Sequence, residues 1–80
     1  MKEIIKTTMK EVASKFGIEM EENIEDDSVL LEIGLDSLCY AILVVDLEEK
    51  LGFDPFQMED EIIYPRTFGE FVDLYKKHDS

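Results

Sequence analysis

The run Leu38-Cys39-Tyr40-Ala41-Ile42-Leu43-Val44-Val45 is eight apolar residues long, and any fold open to this chain has to bury much of it. Ile42, Val44 and Val45 are β-branched, so the run by itself fits a buried strand as well as a helix. Its continuation decides between them. The chain goes on through Asp46-Leu47-Glu48-Glu49-Lys50-Leu51 to Gly52, and at about 100° per residue Tyr40, Leu43, Val44, Leu47 and Leu51 gather on one face. The spacing predicts a helix from about residue 37 to 51 with that stripe on a core. Leu38, Ile42 and Val45 project from nearly the opposite face. In so small a domain one apolar face is expected to stay exposed, as binding surfaces do; the alternative is a helix covered all round by the long segment before it.

The remaining elements arrange themselves around this helix. Ile5, Met9, Val12 and Phe16 recur at helical spacing among lysines and Glu11, which predicts a helix over about residues 2 to 16, stopped by Gly17. Between Gly17 and Asp36 no period is sustained, yet Ile18, Met20, Ile24, Val29, Leu30, Leu31, Ile33 and Leu35 are too many aliphatics for a solvated linker. They read as anchors tying a long loop across the helices. After Gly52 the chain turns through Phe53-Asp54-Pro55-Phe56, and a short helix is expected from Gln57 to Ile63, halted at Tyr64-Pro65. Thr67-Phe68-Gly69-Glu70 is a capping-box pattern, and Phe68, Phe71, Val72 and Tyr75 continue it as an amphipathic helix whose last turn carries Lys76, Lys77 and His78. The expectation is an all-α fold: a small bundle of three longer helices plus one short helix, with a long first loop, in one domain over residues 1–80.

Charge and residue content exclude several function classes. Twenty acidic against eight basic residues give a formal charge of −12, without the basic face that nucleic acid or an anionic membrane requires. Basic proteins are the natural partners of such a surface. The longest aliphatic run, Ala41 to Val45, is far too short to span a bilayer, and the first residues do not resemble a signal peptide, so a cytoplasmic monomer is expected. Cys39 is the only cysteine, which leaves no intramolecular disulfide and no zinc cluster. The only histidine, His78, reads as a solvated helix cap, and nothing supports a Cys39–His78 dyad, so enzyme activity is not expected. The best EF-hand frame starts at Asn23 and fails twice, with Ser28 at the sixth position and Gly34 at the twelfth. No metal site is expected beyond weak divalent-cation binding by crowded carboxylates.

Gly34-Leu35-Asp36-Ser37-Leu38 opens the central helix. Alone it is an ordinary helix entry, with glycine for the turn and Asp36 or Ser37 for the cap. Its setting is not ordinary: mid-chain in an acidic protein, after a helix and a long anchored loop, before an amphipathic helix, a short helix and a capped last helix. This combination resembles the acyl and peptidyl carrier proteins over nearly the whole chain. The resemblance implies that Ser37 carries 4′-phosphopantetheine, with Gly34, Leu35, Asp36 and Leu38 as its flanks. It further implies a separate phosphopantetheinyl transferase that installs the group from coenzyme A with magnesium, and acyl-loading and acyl-processing enzymes as partners. A phosphodiester there would sit at the positive end of a helix.

The resemblance also has departures. Carriers of primary fatty acid synthesis place acids on the exposed face of the helix after the serine, whereas this chain has Cys39 and Ile42 at two such positions and Lys50 at another, keeping Glu48 and Glu49. The expected partner face therefore comprises Leu38, Cys39, Ile42, Val45, Glu48 and Glu49. That composition favours a specialised lipid, polyketide or other secondary pathway, and a sequence that shows no linker around the four expected helices is expected to be a freestanding carrier. The competing reading is an unmodified adaptor that binds through Leu38, Ile42 and Val45.

Overall fold

The computed structural model describes the whole chain except Glu22, Ile62, Ile63 and Ser80. Among the described residues, helices α1 (Lys2–Lys15), α2 (Ser37–Leu51), α3 (Pro55–Met58) and α4 (Phe68–His78) follow one another, with a 3-10 turn at Leu30–Glu32 in the long connection. The fold is all-α, with three longer helices and one short one, as the periodicities predict. No helix among the described residues is long and apolar enough to cross a membrane.

α1 turns Ile5, Met9, Val12 and Ala13 inward, together with Thr8. The wholly buried Thr8 hydroxyl donates to Ile4 O at 2.7 Å and accepts from Lys50 Nζ at 3.1 Å. Lys50 Nζ also lies 2.9 Å from Glu11 Oε2, so this lysine clamps α2 to α1 and is not free for an outside partner. Phe16, expected on the inner stripe, is 48% exposed. Gly17, at φ 66°, ends the helix with Gly17 N–H on Ser14 O and Ile18 N–H on Ala13 O, a closure that swings Ile18 back onto the core in place of Phe16.

The long connection is anchored as expected: Ile24, Leu30, Ile33 and Leu35 are buried and join Leu43, Leu47, Phe68, Phe71, Val72 and Tyr75 in one core. Leu31 is the exception, 60% exposed on the outer side of the 3-10 turn. The connection is also seated by backbone pairing. Val29 makes an isolated antiparallel bridge with Thr67, framed by Leu30 N–H to Arg66 O (3.0 Å) and Phe68 N–H to Ser28 O (2.8 Å).

The short helix departs from its expected place at Gln57 to Ile63. It starts at Pro55, because Asp54 caps it by accepting from Phe56 N–H at 2.9 Å and proline at the first helical position is already in helical φ. It stops after Met58, with Glu59 extended and its carboxylate engaged by Lys77 Nζ at 3.0 Å. Ile62 and Ile63 lie outside the described residues. α4 starts where predicted, with the Thr67 hydroxyl accepting from Glu70 N–H at 3.2 Å. Only half of the capping box closes, since the Glu70 carboxylate faces Arg66 N–H, at 3.5 Å, instead of the Thr67 N–H.

Candidate functional site

The start of α2 is set by the turn before it. Gly34 has φ 114°, where side chains are strained, and a Cβ on it would stand 2.7 Å from Glu19 O and 3.3 Å from Met20 Cα. Only glycine lets the chain pass this close to the loop. Leu35 then plugs into the core at 2% exposure, which fixes the direction of exit. Asp36 is extended and caps the helix, its carboxylate accepting from Cys39 N–H at 2.8 Å. That backbone bond holds the Asp36 carboxyl below the usual carboxylate range.

Ser37 is the first helical residue and is exposed, at a position where the backbone N–H has no partner inside the helix. The turn of α2 that carries it is braced from within. Tyr40 packs edge-on against Phe71 (centroids 5.6 Å apart) and Tyr64 (6.2 Å), and its hydroxyl donates to Pro65 O at 3.3 Å. A contact with α4 and another with the segment before it thus hold the residue one turn beyond Ser37. Burial raises the Tyr40 hydroxyl well above its ordinary range, so it stays a donor.

The expected partner face divides. Leu38 and Val45 are exposed, at 63% and 55%, and Glu48 and Glu49 are exposed beyond them, whereas Ile42 is half-buried against the core. Cys39 does not belong to this face: it is 2% exposed and points into the core. Cys39, Leu43 and Leu47 lie at i, i+4 and i+8, so they form the centre of the buried stripe and turn Tyr40, Val44 and Leu51 to its half-buried flank. Burial, with Asp36 nearby, pushes the Cys39 thiol pKa up and keeps it a thiol.

His78 is likewise not the solvated cap expected of it. It is half-buried, with Nε2 3.3 Å from Glu59 Oε1 but off the line of a hydrogen bond. Tyr64, 67% exposed, was not singled out by its sequence; its place beside Pro65 gives no period from which an outward ring could be read.

The geometry therefore presents one exposed hydroxyl on a rigid, capped helix start, bordered by Gly34 and Leu38. A family model described as phosphopantetheine attachment site matches residues 6–62, a span that takes in the whole of the long connection, α2 and α3. No curated protein and no solved structure matches the chain. With a match over more than half its length, the chain belongs to the phosphopantetheine-attachment family, whose domains carry 4′-phosphopantetheine covalently.

Proposed function

We propose that this protein is an acyl carrier and that Ser37 is the residue that takes the phosphopantetheine arm. The observation that supports it is the exposed Ser37 hydroxyl at the first position of a 15-residue helix. The site's residues fit the group. A phosphodiester on Oγ lies at the positive end of α2, and the exposed Asp36 carboxylate opposes it only across screening solvent. Asp36 does its work on the backbone, fixing the helix start and with it the serine. The one histidine stands beside Glu59 at the end of α4, so a separate transferase has to supply the base that activates Ser37. Once bound, the group supplies a flexible, thiol-ended arm on which an acyl group is held as a thioester.

Leu38, Val45 and the half-buried Ile42, with Glu48 and Glu49 beyond them, form a mixed apolar and acidic docking face for the enzymes that load and process the cargo. Such a face depends less on charge than an all-acidic helix, and it favours enzymes of a specialised lipid or polyketide pathway over those of primary fatty acid synthesis. This reading places the protein in the cytoplasm, where coenzyme A and the transferase meet.

The test is intact mass after incubation with coenzyme A, magnesium and a broad-specificity phosphopantetheinyl transferase. Wild type is expected to gain one phosphopantetheine, and Ser37→Ala to gain none while still folded. An unmodified wild type, or a modified Ser37→Ala, overturns the assignment.

A further inference from the structure

Among the described residues Tyr64 is the most exposed of the large apolar and aromatic side chains, at 67%, yet its ring is not loose. It stands edge-on to the Tyr40 ring at 6.2 Å and is inclined at 32° to the Phe56 ring at 5.5 Å, both of them half-buried on the core. The chain that follows is pinned as well. Pro65 is buried, Pro65 O accepts from the Tyr40 hydroxyl, and Arg66 O accepts from Leu30 N–H. A ring held in this way gives up little freedom when a partner covers it, so most of the contact is kept as affinity.

The position of Ser37 says which partner covers it. Side chains three apart on a helix stand about 6 Å from one another, so the path from Ser37 through Tyr40 puts the Tyr64 ring within about 15 Å of the serine. A partner footprint of roughly 800 Å2 has a radius of about 16 Å. The enzyme that modifies Ser37 has to bring its reacting centre to the hydroxyl itself, whereas enzymes that act at the end of the arm can stand off by the length of the arm. The transferase footprint therefore takes in Tyr64. Charge then says what meets the ring. From Phe53 to Arg66 the chain has Asp54, Glu59, Asp60 and Glu61 against Arg66 alone, and Asp36 is exposed beside Ser37, so the complementary surface is basic. Of the two cations such a surface presents, arginine is planar, more weakly hydrated and stacks on aromatic faces. Among the described residues the cation–ring contacts are those of Lys2 and Lys6 with Phe68, which leaves the Tyr64 ring open to a cation from outside.

We propose that the Tyr64 ring stacks against an arginine of the phosphopantetheinyl transferase and so sets the affinity of that enzyme for this carrier. This rests on Ser37 as the attachment residue. Steady-state loading by a broad-specificity transferase with coenzyme A and magnesium, followed by intact mass, tests it in wild type, Tyr64→Leu, Tyr64→Phe and Tyr64→Trp. Tyr64→Leu keeps an apolar side chain but removes the ring face, and its KM for the carrier is expected to rise about fivefold with kcat within twofold of wild type. Tyr64→Phe and Tyr64→Trp keep the face and are expected to hold KM within twofold of wild type or below it. An unchanged KM in Tyr64→Leu overturns the stacking, since an apolar contact or none would give the same result. A rise in Tyr64→Phe or Tyr64→Trp as large as that in Tyr64→Leu overturns it too, as does a fall in kcat at unchanged KM, which would make Tyr64 a brace for the start of α2. All three results leave the attachment residue standing. A wild type that takes up no phosphopantetheine overturns the attachment residue and the stacking with it.

Discussion

α2 and α4 begin with the same device. In each, a side-chain oxygen just outside the helix accepts the N–H three residues on: Asp36 from Cys39 at 2.8 Å, Thr67 from Glu70 at 3.2 Å. Beyond the cap the two starts differ. At α4 the long connection lies across the helix end, so that Phe68 N–H and Gly69 N–H donate to Ser28 O and Asp26 O at 2.8 Å each. At α2 the same connection turns away at Gly34, and Ser37 is left in solvent. A cap motif therefore makes a helix start, and what lies over that start decides whether it holds the fold together or offers a place for an anion.

The comparison can be broken by disturbing each start in turn. Gly34→Ala is expected to cost most, about 3 kcal/mol in urea unfolding, because it combines a strained φ with a methyl group driven into Glu19 O. A loss within 0.5 kcal/mol would mean that the turn before Ser37 is not fixed by this close pass. Gly69→Val attacks the closed start: a Cβ there meets Asp26 O at 2.9 Å, and a loss of about 2 kcal/mol is expected, with phosphopantetheine uptake unchanged. Impaired uptake in that variant would show that the two starts are not independent. Thr67→Ala should cost about 1 kcal/mol at any pH between 3 and 8, since its oxygen carries no charge.

The smallest effect separates the two caps by pH. The Asp36 carboxyl is held below its ordinary pKa of 3.8, so its contribution is present above that value and is lost as pH falls through the lower folded value. Asp36→Ala is therefore expected to lower the melting temperature at neutral pH, and its gap from wild type should close in acid below the ordinary carboxylate range. A gap that persists at the acid end would mean that the Asp36 carboxylate is not what caps α2.

Much of this architecture is legible in the residues. Asp36 and Gly52 bracket α2, and the Thr67 cap begins α4, because helix starts and stops are local chemistry. The exposed Ser37 follows from the same local reading. What escapes a local reading depends on partners distant in the chain. The pairing of Val29 with Thr67 closes one helix start and leaves the other open, and no window short enough to show a period contains both residues. Ile18 replaces Phe16 on the core because the closing turn at Gly17 adds two hydrogen bonds that the apolar spacing does not register. Cys39 looked like a surface position in a pattern of exposed acids, but the buried stripe through Leu43 and Leu47 runs back through it. The sequence places the short helix too late because Asp54-Pro55 reads as part of a turn, although those residues form its cap and first position.

The most direct test of the account is to map the modified residue in wild-type protein by peptide-level tandem mass spectrometry after transferase treatment. This measures which helix start is open, with every other hydroxyl in the chain as an internal control. The account predicts phosphopantetheine on Ser37 alone, with Ser28 and Thr67, both drawn into the closed start of α4, unmodified. Modification at Ser28 or Thr67, or at any residue other than Ser37, would contradict it.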